Sequence, residues 1–251
     1  MLDPAVLPYI FLGLIFLAAG FTQGVSGFGA GLLAMPLLTM FLDIRVAVPL
    51  CMLNGLLITC FLSLQLKSHI DRQKIKPLFI GCIPGIFVGV FLLKATDGNL
   101  LKIMLGCLIT AYSLYRLLAR SEGRGIHRGW AYPAGLATGV IGGAFSAGGP
   151  PTIIYVSLTD WKKDEIKATL SLFFFSTGVI TSVTHAASGL IDLRVLHFFA
   201  ASAVFTVAGV YLGALCYNRI AQKTYIRVML LLLVAMGVMM IVAGLAALSG
   251  Q

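Results

Sequence analysis

The sequence predicts an all-α integral membrane protein of two inverted repeats. Each repeat has five helical segments, giving about eight spans plus two short half-helices after glycine-rich breaks. Three observations predict this: a composition too apolar for water, a series of charge-free windows of spanning length, and an internal match between the halves of the chain.

Of 251 residues, 59% are hydrophobic and 11% charged, against about 25% charged in ordinary soluble domains. Mean hydropathy is +0.98. A soluble fold of this size lacks the polar material to clothe so much apolar surface, so lipid must be its solvent. A disordered tail, a nucleic-acid module and a disulfide-stapled secreted domain are excluded on the same ground. The excess of 18 Lys+Arg over 9 Asp+Glu reads as loop charge that orients the chain. The cysteines (Cys51, Cys60, Cys82, Cys107 and Cys216) stand singly in apolar stretches, with no CxxC pair or metal-ligand spacing. They are expected to pack as small hydrophobes, and neither metal nor cofactor is expected. Asp3 and no basic residue precede the first apolar run, so that run is expected to be a retained span and not a cleaved signal.

Eight windows contain no Asp, Glu, Lys or Arg: residues 4–42, 46–66, 77–93, 103–115, 129–159, 168–191, 195–218 and 228–251. A helix crosses the hydrocarbon core in about 20 residues. Six windows fit one helix each, if Lys102 snorkels to a membrane edge. The windows 4–42 and 129–159 are too long for one span, and each is broken by glycine. The breaks read Gly24-Val-Ser-Gly-Phe-Gly-Ala-Gly31 and Gly142-Gly-Ala-Phe-Ser-Ala-Gly-Gly-Pro-Pro151. The short apolar runs behind them, 32–42 and 152–159, suit half-helices returning within the membrane. Irregular backbone at that depth must line a protein-enclosed or water-filled cavity, because lipid offers it no hydrogen bonds.

Basic residues set the orientation. Segments 67–76 (Lys67, Arg72, Lys74, Lys76), 116–128 (Arg116, Arg120, Arg124, Arg128), 161–167 (Lys162, Lys163, Lys167) and 219–227 (Arg219, Lys223, Arg227) hold fourteen of the 18. The positive-inside rule places these segments in the cytoplasm and both chain ends outside.

The halves match at an offset of about 120 residues. Ser26-Gly-Phe-Gly29 stands opposite Ser146-Ala-Gly-Gly149, Ile44-Arg45 opposite Ile166-Lys167, Ile70-Asp71 opposite Ile191-Asp192, and Gly85–Gly89 opposite Gly209–Gly213. Equivalent loops fall on opposite faces, which predicts inverted repeats over residues 4–118 and 129–248. Inverted repeats with helices broken at matched positions point to a secondary transporter with its site at the breaks.

No buried acid is available to relay protons or hold a cation, so a small anion is the expected solute, and any proton rides on it or on water. A helix N-terminus presents unpaired N–H groups and a partial positive charge, and glycine admits a ligand close to the backbone. Pro150 and Pro151 suit a helix start. Two such ends, with the hydroxyls of Ser26 and Ser146, would hold an oxyanion without a formal cation. Candidate contacts are Gln23, Ser26, Gly27, Phe28, Gly29, Asn54, Ser146, Gly148, Gly149 and Ser176. Helix capping by the two serines and interhelical bonding by Gln23, Asn54 and Ser176 remain the alternatives.

The paired motifs Ser26-Gly-Phe-Gly29 and Gly142-Gly-Ala-Phe-Ser-Ala-Gly-Gly-Pro150 resemble those of the TauE/SafE (sulfite exporter) family, over about residues 10–245. The resemblance implies an inner-membrane permease for sulfite or an organosulfonate, and no enzyme. Ala147 stands opposite Gly27, which breaks the symmetry of the two motifs. The partners so implied are a small anion and the bilayer, with no nucleic acid; the oligomeric state stays open, a homodimer among the options. Two rival readings stand beside it. An anion channel would share the site. Gly24-Val-Ser-Gly27 also fits the GxSG pattern of rhomboid proteases, with His185 as base, but a dyad enzyme has no use for a second break. His197 is the other histidine in an apolar window.

Overall fold

The computed structural model describes residues 7–66, 71–118, 126–161, 163–217 and 222–249. The predicted loop charges Lys67, Arg120, Arg124, Lys162 and Arg219 lie outside these residues. Ten α-helices and no strand occur among the described residues: α1 (Leu7–Ser26), α2 (Ala30–Leu38), α3 (Ile44–Gln65), α4 (Arg72–Ala95), α5 (Gly98–Leu118), α6 (Ala131–Phe145), α7 (Gly149–Ser157), α8 (Lys163–Ala187), α9 (Leu193–Cys216) and α10 (Gln222–Ser249).

The few acids mark helix starts. Carboxylates of Asp43, Asp71, Asp97 and Asp192 accept from backbone N–H groups of Arg45 (2.8 Å), Gln73 (2.9 Å), Asn99 (2.8 Å) and Val195 (2.8 Å), opening α3, α4, α5 and α9. Each fills donors that a helix start leaves open. Asp97 is exposed, and the N–H groups of Leu100 and Asn99 hold its carboxyl below the usual carboxylate range.

Among the described residues, seven helices are long and apolar enough to cross a membrane: α1, α3, α4, α5, α8, α9 and α10. The chain is a multi-pass, all-α membrane protein. The eighth expected span, α6, has 15 residues, about 22 Å of helix, and stops short because the second break ends it. The half-helices also begin earlier than expected. Gly29 takes a left-handed φ of 98° and opens α2 at Ala30, and Pro150 and Pro151 fall inside the first turn of α7. The chain before α6 meets the chain after α7, where Ile126 N–H donates to Leu158 O at 3.2 Å. The pair α6–α7 therefore enters and leaves on one face.

The largest interfaces run between the halves: α1 against α9 and α4 against α6. Both are glycine seams of the small-xxx-small type. Gly85 and Gly89 of α4 lie against Leu136 O and Val140 O of α6, while Gly209 and Gly213 of α9 lie against Leu17 O and Phe21 O of α1. A Cβ at any of these four would collide with backbone, so each pair packs only with glycine there. Around them α3 packs on α8 and α5 on α10. Exchanging α1–α5 with α6–α10 maps these four pairings onto themselves.

Polar ends cluster on two faces. On one, Arg128 Nη2 donates to Gln73 O at 2.8 Å, and Lys74 pairs with Glu165. On the other, Arg45 donates to Thr96 O at 2.9 Å and Lys94 to Ser188 O at 2.8 Å. Large apolar side chains such as Phe91, Val204 and Leu231 are exposed, as a lipid-facing surface requires.

Candidate functional site

The two glycine breaks touch. Gly31, one residue into α2, lies so close to Ser146 O that a Cβ there would collide with it. Between the breaks is a cavity of about 100 Å³, lined by both of them, by α3 and α8, and by parts of α4 and α6. Its first-break wall is Gln23, Phe28, Gly29, Ala30, Gly31 and Leu32, and its second-break wall is Gly142, Ser146, Ala147, Gly148 and Gly149.

Local chemistry explains the bends. In the first break, Gly27 and Gly29 have φ of 82° and 98°, a region that costs any other L-residue. In the second, Ser146 takes φ 51° and is the one non-glycine residue with positive φ among those described. Its hydroxyl donates to Val48 O of α3 at 2.8 Å, a tertiary bond that offsets part of the strain.

Six of the ten expected contact residues line the cavity: Gln23, Phe28, Gly29, Ser146, Gly148 and Gly149. The other four do not. Ser26 turns its hydroxyl onto Thr22 O (2.7 Å) and Phe28 O (2.5 Å), capping its own helix. Gly27 packs on the side chain of Lys167. Asn54 is fully buried between α3 and α9; it donates to Ser202 Oγ at 3.0 Å and accepts from Thr206 Oγ1 at 2.5 Å. Ser176 is half-buried outside the lining, whose α8 portion is Phe174, Thr177, Gly178 and Thr181. Neighbours on a helix point about 100° apart, so Asn54 and Ser176 miss by one residue the faces that carry Gly55 and Thr177.

The donors differ from those expected. Hydroxyls of Thr59, Thr177 and Thr181 line the cavity, but each donates its hydrogen to a carbonyl of its own helix, at 2.8, 2.9 and 2.9 Å. The hydrogen of Ser146 is likewise committed to Val48 O. Thr138 also lines the cavity and shares a hydrogen bond with Thr152 in which either hydroxyl can donate; beside it, the cavity's donors are backbone N–H groups and one amide. The first helical bond at the start of α2 is Leu33 N–H to Gly29 O at 3.1 Å, which leaves the N–H groups of Gly29, Ala30, Gly31 and Leu32 to the cavity. Pro150 and Pro151 thin the equivalent set at α7. Gln23 is only 6% exposed, lines the cavity and makes no side-chain hydrogen bond among the described residues. No cluster of three or more His, Cys, Asp or Glu that could hold a metal occurs among the described residues.

Two further polar residues stand behind the breaks. Lys167, expected in a solvated loop, is 7% exposed within α8 and donates to Gly24 O at 2.7 Å. His185 is fully buried, with Nε2 2.9 Å from Gly143 O. His185 and Ser26 are thus each bound to backbone at a different break, which is not a nucleophile–base pair. His197 is exposed.

The chain is 28% identical over 221 residues to a protein of Cupriavidus necator named "Probable sulfite/organosulfonate exporter TauE", covering 83% of this chain and 84% of that one. No solved structure matches it significantly. The family model "Sulfite exporter TauE/SafE" matches residues 12–240, a stretch that includes both breaks and all ten helices in whole or part. By that match the chain belongs to the sulfite exporter TauE/SafE family, a transporter family, which makes it a permease and not an enzyme.

Proposed function

We propose that this permease carries sulfite or a small organosulfonate across the inner membrane, binding it in the cavity between the two breaks. The anion accepts hydrogen bonds from the N–H groups at the start of α2, from those of Gly148 and Gly149, and from the Gln23 amide. Phe28 closes one wall. The single observation that carries the reading is the convergence of both breaks on one hollow whose available hydrogen-bonding groups at the α2 start are all donors. Sulfonate and sulfite oxygens are acceptors, and a helix N-terminus favours negative charge. The bonds come from neutral groups, which suits a solute that must also leave.

The repeats, residues 4–118 and 129–248, are inverted in this reading. Support comes from the helix pairings, which survive exchange of the halves, and from the segregation of Lys74 and Arg128 from Arg45 and Lys94. The face bearing Lys74 and Arg128 is cytoplasmic and both chain ends lie outside. Access alternates as the broken helices rock about the fixed site.

The test is flux. Purified protein in liposomes, loaded with radiolabelled sulfite and diluted into sulfite or sulfoacetate, is expected to show saturable efflux stimulated by anion on the far side. Linear, non-saturating flux without such exchange identifies a channel, and absence of flux for every sulfur oxyanion tried defeats the reading. Gln23→Leu is expected to raise KM with little change in Vmax, the pattern of lost uniform binding.

A further inference from the structure

Each break frees backbone carbonyls, and at each break a side chain of α8 meets one of them. At the first break, Gly27 N–H closes on Gln23 O at 2.7 Å. The next carbonyl, Gly24 O, has lost its helical partner and takes the ammonium of Lys167 at 2.7 Å. At the second, Ser146 N–H closes on Gly142 O at 2.9 Å, and the next carbonyl, Gly143 O, meets His185 Nε2 at 2.9 Å.

The two caps differ in charge and in what they touch. Lys167 lies with its ammonium 3.7 Å from the centroid of the Tyr217 ring, and its Cγ stands 3.0 Å from where a Cβ on Gly27 would be. Its methylenes therefore fill the space that the left-handed Gly27 leaves empty. Gly24 adjoins Gln23, which lines the cavity. The lysine matched to Arg45 by the internal repeat is thus turned to another use, because Arg45 is exposed and donates to Leu93 O and Thr96 O at the end of α4. The freed carbonyl and the ring stabilise a buried ammonium, and away from water its field is weakly screened.

We propose that Lys167 is the positioning residue and the buried counter-charge of the anion site. This rests on the reading of the cavity as an anion site. The lysine holds Gly24 to Gly29 in the conformation that turns the α2 N–H groups into the cavity. It also sets its ammonium behind that wall, on Gly24 O beside the cavity-lining Gln23. The anion is attracted by a charge it does not need to break a salt bridge to leave.

The experiment is sulfite flux in proteoliposomes for the parent chain and three variants. Lys167→Arg keeps charge and donor, Lys167→Gln keeps an uncharged donor for Gly24 O, and Lys167→Met keeps only length. Expected are a KM for Arg within about threefold of the parent and a KM for Gln raised about tenfold or more with Vmax little changed, since a lost buried charge weakens binding and not the rate of rocking. Met is expected to lose both affinity and thermal stability. If Met does not yield folded protein, Gln decides, because it retains the cap. A Gln variant with parental KM overturns the counter-charge, and an Arg variant as impaired as Gln overturns it too. A parent chain without saturable sulfite flux removes the anion site itself, and this proposal with it; a saturable parent with unaltered variants removes the proposal alone.

Discussion

The two breaks solve one problem with different residues. Both must end a helix inside the membrane, turn the backbone and start another helix facing a shared hollow. The first relies on glycine. Gly27 and Gly29 supply the left-handed turns, Ser26 caps locally, and Lys167 takes the freed carbonyl. The second has one left-handed residue, Ser146, held by a tertiary bond to α3, with two prolines starting the next helix and His185 on the freed carbonyl. The first break therefore presents the fuller set of N–H donors and the cation, and the second presents a stiffer wall. Matched positions in the sequence do not imply matched roles at a site.

The largest effect expected from breaking this arrangement is at the contact between the two. Gly31→Ala drives a Cβ into Ser146 O, which is backbone and cannot swing away. It is expected to destabilise the protein by about 1–3 kcal/mol and to abolish sulfite flux. Gly149→Ala is the comparison, because nothing lies within 4 Å of a Cβ there although the residue lines the cavity. It is expected to keep the parental melting temperature while weakening transport, since the methyl occupies solute space. Equal melting losses in the two variants would refute the claim that the breaks meet at Gly31.

Next in size is the pair of serines that the repeat aligns. Ser146→Ala loses the bond to Val48 O while keeping an unfavourable φ, and is expected to cost about 0.5–1.5 kcal/mol. Ser26→Ala removes only local bonds, to Thr22 O of its own helix and to Phe28 O two residues on, and the change should stay within about 0.5 kcal/mol. Thermal unfolding in detergent checks both. Comparable losses would mean that the second break is not held by α3.

How much of this was readable beforehand follows from what each signal depends on. The breaks were legible because glycine runs interrupt apolar windows too long for one span; Gly85, Gly89, Gly209 and Gly213 stand out in the sequence only as a repeat match, and the structure shows them to be close helix seams. The four acids that open helices were visible as isolated Asp residues at window edges, though their capping role went unread. Lys167 was not legible. It ends a basic segment, and only the start of α8 at Lys163 and the contacts of its side chain with Gly24 O and the Tyr217 ring carry it out of solvent. Asn54 and Ser176 are polar residues at repeat-matched positions near the breaks, but such matching fixes a position only to within a residue, whereas a helix face demands the residue itself. The spent hydroxyls of Thr59, Thr177 and Thr181 could not be foreseen, because back-bonding to the preceding turn depends on rotamer.

The smallest effect sets the floor for these comparisons and comes from a cap remote from both breaks. Asp97 opens α5 from the exposed face, and the N–H groups of Leu100 and Asn99 depress its carboxyl below the ordinary value. A carboxyl depressed on folding stabilises the fold above its unfolded value of about 3.9. That contribution fades as pH falls through the lower folded value. Asp97→Asn keeps a good capping side chain without the charge. It should therefore melt slightly below the parent at pH 7, with the gap closing as pH falls through the lowered folded value and the parent carboxylate takes up its proton. Because the group is exposed, salt screening should narrow the same gap at pH 7. A difference that persists unchanged at acid pH would trace to the amide's geometry and not to the lost charge.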